Sequence, residues 1–278
     1  MKFKVFVHPI RPKIEKGKIL NILQTLNLRI SETNPDMALI IGGDGTFSYY
    51  GRKLSIPMLF IGVPSDEILG SKSRLANISL QNLPESLRSI EKGKYVVTKR
   101  KMLEVKYDKS PAVSVLTDVY LERGLFAGCL RYSISVARKN KDMENGKPSR
   151  PIFTDYAIGN GVIISTSFGS GGYYSYIDRI LNLNKKPSEL FDDTKLGICH
   201  ILPTFIARYK DHNVAHRRLL NRIRYVVPSD FVIDIAFVRA ANIRMYGTTI
   251  HSKGLKVKWN KPINITASTK TASIVHLI

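Results

Sequence analysis

The sequence predicts an α/β domain followed by a domain built almost wholly of β-strands. The first part alternates short, fully apolar runs with stretches of helical spacing, the pattern of strands buried on both faces and joined by helices. From Tyr95 onward the apolar runs alternate only partly and are separated by short polar connectors, which is the pattern of antiparallel sheet. One run of the first part, Leu39-Ile40-Ile41, stops abruptly at Gly42-Gly43-Asp44-Gly45-Thr46, so the α/β region also carries a strand-end turn of a size that suits phosphate.

Taken in order, residues 3–7 read as a strand and 13–28 as a helix through Ile14, Ile19, Leu20, Ile22, Leu23 and Leu26. The strand ending at Gly42 follows, then a short helix over 47–54 and a third strand over 58–63, which together make a small doubly wound sheet. The loop Pro64-Ser65-Asp66-Glu67 leads to a helix over 80–90, and Lys92-Gly93-Lys94 closes a first domain of residues 1–94. In the second domain, 95–278, strands are expected over 102–107, 113–121, 130–136, 156–165, 224–227, 231–237 and 242–246. The tail continues in strands over 257–259, 263–267 and 274–278 and is free to return to the first domain. Residues 139–150, polar and lysine-rich, read as an exposed hairpin loop.

Composition bounds the function. A chain of 278 residues, 44% hydrophobic, is large enough for two ordinary cores and is neither disordered nor disulfide-stapled. Cys129 and Cys199 are too few for a disulfide framework or a metal knuckle. The first residues lack the pattern of a signal peptide and no apolar run approaches a membrane span, so the expectation is a cytoplasmic protein without a membrane partner. The net charge of +21 calls for an anionic partner, and nucleotide, polyphosphate, nucleic acid and lipid headgroup all qualify; a merely solvated cationic surface is the alternative. Arg208, Lys210, Arg217, Arg218, Arg222 and Arg224 make the densest basic stretch. His200, His212 and His216 lack a second ligand cluster and read as structural or surface residues.

Gly42, Gly43 and Gly45 allow positive φ and close approach of a phosphate to backbone amides, while Thr46 is placed to cap the following helix. Asp44 is the informative residue. A carboxylate among phosphates is repelled unless a metal ion or a reacting hydroxyl needs it, so it points to phosphoryl transfer; a plain Gly-Asp-Gly turn is the bland alternative. A second glycine-rich stretch, Ser165-Thr166-Ser167-Phe168-Gly169-Ser170-Gly171-Gly172-Tyr173-Tyr174, follows the apolar run 162–164. Hydroxyls, amides and tyrosine rings at a strand end suit a nucleotide.

Together the two stretches resemble the NAD kinase family. Ile41 to Thr46 matches the Gly-Gly-Asp-Gly-Thr signature that NAD kinases share with diacylglycerol and sphingosine kinases, and the second stretch is similar to the Ser-Thr-Pro-Thr-Gly-Ser-Thr-Ala-Tyr loop of NAD kinases alone. Leu103-Glu104-Val105, Leu116-Thr117-Asp118-Val119, Leu202-Pro203-Thr204-Phe205 and Tyr225-Val226-Val227-Pro228 fall where the family has its other landmarks. The resemblance implies a Rossmann-like domain followed by a β-sandwich domain, and self-association. It implies that Asp44 accepts the proton of the adenosine ribose 2′-hydroxyl of NAD as that oxygen attacks the γ-phosphate of ATP, or of polyphosphate, with Mg²⁺ bridging the ATP phosphates. Gly43, Gly45 and Thr46 would serve the phosphates; Thr117, Asp118, Ser165, Thr166, Gly169, Ser170, Gly171 and Tyr173 would line the dinucleotide site. No specific nucleic acid is implied.

The chain departs from the family at several acceptor positions. Thr117 replaces an asparagine that contacts adenine, Phe168 a small hydroxyl residue, Gly171-Gly172 a Thr-Ala pair, and Asn160 an aspartate; residues 64–70 lack the family's Gly-Arg-Leu-Gly-Phe loop. Two further readings follow. One is a kinase of the same fold with another hydroxyl acceptor, such as a nucleoside, sugar or lipid; the other is a non-enzymatic basic protein that binds nucleotide or nucleic acid.

Overall fold

The structure, a computed structural model, describes all residues except 11, 13, 64–72, 126–127, 140–149, 181–189, 211–216, 221, 240–241 and 250–252. It divides into two compact units, Met1–Arg100 with Thr271–Ile278, and Lys101–Lys270. The first is α/β and the second is antiparallel β, in the expected order.

The first unit contains β1 (Lys2–Val7), α1 (Lys16–Thr25), β2 (Arg29–Ile30), β3 (Met37–Gly42), α2 (Asp44–Gly51), β4 (Met58–Gly62), β5 (Ile78–Ser79) and α3 (Leu83–Glu91). Its strands run parallel in the order β2-β1-β3-β4, with β5 beside β4. Every residue of β3 and β4 is buried, which is why both read as unbroken apolar runs. Ile19 and Leu23 of α1 and Leu83, Leu87 and Ile90 of α3 join the same core as Leu39, Ile41, Leu59 and Ile61. After β1 the chain goes to β2 on one side and then to β3 on the other. Such a reversal opens a crevice at the carboxyl ends of the two strands, where open α/β sheets bind ligands.

The second unit takes up β6 (Tyr95–Tyr107) from Lys101 onward, then β7 (Val113–Val115), β8 (Asp118–Arg123), β9 (Leu130–Arg138), β10 (Phe153–Gly159), β11 (Gly161–Ser165), α4 (Tyr176–Ile180), β12 (Lys195–Ile201), β13 (Phe205–Lys210), β14 (Arg217–Leu219), β15 (Arg224–Pro228), β16 (Phe231–Phe237), β17 (Ile243–Tyr246), β18 (Leu255–Val257) and β19 (Ile263–Leu277). Here one sheet runs β14-β13-β10-β9-β16-β19 and the other β15-β12-β11-β8-β17-β18. Ile134, Val136 and Ile233 of the first meet Val119, Leu121, Ile164 and Ile198 of the second in one core, so the unit is a β-sandwich.

Several element boundaries differ from expectation. The division between units falls within β6, after Arg100, where residue 94 was expected, because β6 runs through that position without a break. The single strand expected over 156–165 is two strands in different sheets. Asn160 makes the corner, its amide donating to Ile201 O at 2.8 Å and its carbonyl accepting from Arg123 N at 3.0 Å. The two tail strands expected over 263–267 and 274–278 are one, β19, which begins in the second unit and ends in the first, where Ile274 pairs with Met58. The strands β12 and β13 were not foreseen. The expected loops at 64–70 and at 140–149 within 139–150 lie outside the described residues, as do His212 and His216; β9 and β10, which flank the latter loop, do pair antiparallel.

A polar cluster spans the sandwich core. Asp155, wholly buried on β10, is held by Arg208 through Nε at 2.7 Å and Nη2 at 2.8 Å, and accepts the Tyr225 hydroxyl from the opposite sheet. His200, also fully buried, meets the Tyr132 hydroxyl through Nδ1 at 3.0 Å, while its Nε2 stands 3.9 Å from Asp155, too far for a hydrogen bond. Burial alone would raise the Asp155 carboxyl, but the bonds from Arg208 and Tyr225 and the Arg208 charge outweigh it and leave it below the ordinary value.

Candidate functional site

Residues 42–46 form the carboxyl end of β3 and the first turn of α2. The helix begins at Asp44 with Gly43 as its N-cap, three residues earlier than a start at Phe47 would place it. Thr46 is therefore inside the helix and does not cap it: Gly43 O accepts the amides of Thr46 at 2.9 Å and Phe47 at 3.1 Å, and no side chain caps the turn. Positive φ is found at Gly42 (+156°) and not at Gly43 or Gly45, which correct the expectation for those two. At Gly42 a Cβ would stand 2.7 Å from Thr46 Oγ1, so the strand can pass over the buried threonine only as glycine. Beside Gly45 a Cβ would meet nothing within 4 Å, which leaves its backbone approachable.

Helix α2 is strapped to the sheet on both sides of β3. Phe47 stacks on Phe60 of β4 with centroids 4.6 Å apart, and the Tyr50 hydroxyl donates to Val7 O at the end of β1 at 2.9 Å. Helix α2 is thus fixed at the carboxyl end of β3, and of its first-turn amides those of Asp44 and Gly45, ahead of Thr46, are the ones helix geometry leaves without intrahelical acceptors.

Asp44 is half-buried, and its Oδ1 accepts the Leu75 amide at 2.9 Å. Burial pushes its carboxyl above the ordinary value; the Leu75 and Arg74 amides and the Arg74 charge pull in the other direction without cancelling the rise. Ser73 adds a hydrogen bond from its hydroxyl to Gly42 O at 3.0 Å, so residues 73–75 close over the turn. These partners were missed. The Gly-Arg-Leu-Gly-Phe loop reads as missing because residues 64–70 lack it, and the Arg74-Leu75 pair a few residues further on was the signal.

In the second unit, the stretch 165–176 latches onto the start of β8. Thr166 Oγ1 donates to Leu116 O and Thr117 O, each at 2.9 Å, and accepts the Gly169 amide at 3.1 Å. Gly169 passes so close that a Cβ there would lie 2.4 Å from Thr117 O. The Ser165 hydroxyl donates to Thr166 O, and the Ser170 hydroxyl donates to Ser167 O and accepts the Leu190 amide. All three hydroxyl residues are buried. They were expected to line the dinucleotide site; here their hydroxyls bond backbone groups of the loop and of residues 116–117.

What the loop leaves at its surface is Phe168, Gly171, Gly172 and Tyr173, all half-buried. Asp118 lies next to them, its Oδ2 3.9 Å from the point a Cβ on Gly172 would occupy, and accepts the Thr117 hydroxyl at 3.1 Å. Strand alternation puts Tyr120 and Glu122 on the same face as Asp118. Tyr120 stacks on Tyr246 (4.9 Å, 15°) and meets Tyr173 edge-on (5.1 Å, 89°), and the Tyr173 hydroxyl donates to Glu122 Oε1 at 2.6 Å. Tyr120, Glu122 and Tyr246 were also missed; the alternating Asp118-Val119-Tyr120-Leu121-Glu122 was the signal for the first two. Among the described residues no group of three or more His, Cys, Asp or Glu is placed to hold a metal ion, and no helix is long and apolar enough to cross a membrane.

No family model matches the chain. Among curated proteins, the NAD kinase of Sulfurisphaera tokodaii is 37% identical over 107 residues, 38% of this chain and 40% of that protein. The chain spans about half the length, or less, of the curated relatives it matches. Among solved structures, an NAD kinase from Archaeoglobus fulgidus in complex with ATP superposes with a TM-score of 0.64 at 18% identity, covering 100% of this chain and 94% of that one. A yeast NADH kinase complexed with NADH superposes with a TM-score of 0.64 at 13% identity, covering 99% and 82%. The chain is thus similar to NAD kinases over part of its sequence and shares the fold of the two solved structures over nearly its whole length.

Proposed function

We propose that the chain is a phosphotransferase that moves the γ-phosphate of ATP, taken as its magnesium complex, to the 2′-hydroxyl of the adenosine ribose of NAD, giving NADP and ADP. The observation that carries this reading is the Asp44 carboxylate, oriented by the Leu75 amide in the first turn of a helix at the end of a buried parallel strand. A protein that only held phosphates would gain nothing from a carboxylate there.

In the reaction, the ribose oxygen attacks the γ-phosphorus, the bond from that phosphorus to the bridging oxygen breaks, and ADP leaves with the bond's electron pair. Asp44 takes the hydroxyl proton and returns it to solvent. Its raised pKa favours this role, since a more basic carboxylate is a better proton acceptor while it remains ionised. The α2 first-turn amides bind phosphate oxygens, and the approachable backbone at Gly45 lets the donor come close. In the second unit, Asp118, Gly171, Gly172 and Tyr173 contact the dinucleotide, while Ser165, Thr166, Gly169 and Ser170 hold the loop in shape. Polyphosphate is an alternative donor on the same chemistry. Self-association and a cytoplasmic location belong to the same reading.

A second reading keeps the transfer and changes the acceptor. Its motivation is Thr117, whose hydroxyl is turned onto Asp118 where an asparagine amide would offer both a donor and an acceptor to adenine. An acceptor panel tests both: ADP release from ATP and Mg²⁺ with NAD, NADH, nucleosides, sugars and lipids. Release with NAD above all others supports the first reading, release with another acceptor the second. Release with none, together with tight binding of duplex DNA, supports a basic binding protein instead.

A further inference from the structure

Glu122 is not in the Gly-rich stretches, yet its side chain ties the second of them to the sheet. Its Oε1 accepts the Tyr173 hydroxyl at 2.6 Å, across 51 residues of sequence. The strand β8 fixes Glu122 on both flanks, through Gly161 of β11 on one side and Arg244 of β17 on the other. Tyr173 is in turn set edge-on against Tyr120, tilted against Tyr176, and Tyr120 is stacked on Tyr246. The ring of Tyr173 is thus held at three points while it remains half-buried.

We propose that Glu122 is a positioning residue for the acceptor: it fixes the Tyr173 ring, against Tyr120 and Tyr246, as a wall for a planar ring of the dinucleotide. This rests on the reading of the chain as a dinucleotide phosphotransferase. A tyrosine side chain has two soft torsions, and a ring that must be ordered on binding costs affinity. The hydrogen bond to a carboxylate removes that cost beforehand, because a charge-assisted bond is roughly twice as strong as a neutral one. Burial, together with the neighbouring Glu122, pushes the Tyr173 phenol far above its ordinary value, so it stays a donor at every working pH. Arg244 of β17 is the cross-strand neighbour of Glu122 in the sheet register.

The test is a double-mutant cycle read by calorimetry with NAD and, in parallel, by steady-state turnover with MgATP. Glu122→Ala and Tyr173→Phe are each expected to weaken NAD binding and raise its KM by about 5- to 20-fold, with kcat changed less than about threefold. The double variant should be no worse than either single one, since both remove the same bond. Glu122→Gln keeps an acceptor oxygen and should recover most of the lost affinity. Thermal midpoints of all variants separate a positioning loss from unfolding. If Glu122→Ala binds NAD within twofold of the parent, or if its effect adds fully to that of Tyr173→Phe, the positioning role is wrong while the phosphotransferase stands. If the parent itself neither binds NAD nor turns over with it, the dinucleotide reading fails first and this role falls with it.

Discussion

The Asp44 carboxylate accepts the Leu75 amide at 2.9 Å, so the group proposed as proton acceptor is held by a segment 31 residues further along the chain. That bond orients the carboxylate without neutralising it, and partial burial leaves its pKa raised. The direction of the shift decides two measurable consequences.

The first concerns pH. A base must be ionised, so kcat should fall as pH drops through a value above the ordinary aspartate pKa of about 3.9. Stability from this group has the opposite sense: with the folded pKa raised, its contribution is fully present below the unfolded pKa and is lost as pH rises through the folded one. Asp44→Asn should therefore leave the thermal midpoint at neutral pH equal to or slightly above that of the parent. A midpoint clearly lower in the variant would assign Asp44 to the fold.

Asp155 gives the reverse case. Its pKa is lowered by Arg208 and Tyr225, so its stabilising contribution is present above the unfolded pKa and is lost as pH falls through the folded value. Arg208→Met leaves a wholly buried carboxylate without its main partner and should cost about 3 kcal/mol at neutral pH. The cost should shrink in acid, where protonation removes the unpaired charge. Denaturant unfolding at two pH values checks this, and an equal loss at both would mean that packing, not charge, is what Arg208 supplies.

Gly169→Ala should disrupt the nucleotide loop, because the new methyl would meet Thr117 O at 2.4 Å and backbone cannot yield as a side chain can. Overpacking of this kind costs about 1–3 kcal/mol, and NAD affinity should fall with it. A variant with parental midpoint and parental affinity would contradict the close approach.

The α/β-then-β order was legible because β3 and β4 are buried on both faces, whereas sandwich strands such as β9 alternate between buried and more exposed residues. The Asp44 turn was legible because its glycines are contiguous. What could not be seen was long-range: Leu75 on Asp44, Glu122 on Tyr173, and Arg208 on Asp155 join residues far apart in sequence. Local pattern likewise missed the corner at Asn160, since apolar residues continue on both sides of it while the chain changes sheets. The role of the loop hydroxyls was not legible for a physical reason. Serine and threonine serve a ligand and a tight turn equally well, and only the fold decides between them.

Thr117→Asn combined with Gly171→Thr restores two polar side chains at acceptor positions. If NAD is the acceptor, each should add about 0.5–1.5 kcal/mol to binding, up to roughly tenfold apiece in affinity. Calorimetry showing unchanged or weaker NAD binding would favour the reading with a different acceptor.

The basic surface predicts a salt effect. Binding of ATP or polyphosphate should weaken steeply as ionic strength rises from about 0.05 to 0.5 M, whereas binding of the less charged acceptor should change little. ATP should also displace polyphosphate. Equal salt dependence for donor and acceptor would mean that the charge excess has no part in holding the donor.

The most direct measurement is the product formed from MgATP and NAD by the parent and by Asp44→Asn, with ADP and NADP quantified together. The parent should give ADP and NADP in equal amounts, and the variant should be slower by about 10²- to 10⁴-fold while still binding ATP. ADP without NADP, or a variant within tenfold of the parent, would contradict the assignment of Asp44 as the proton acceptor for phosphoryl transfer to NAD.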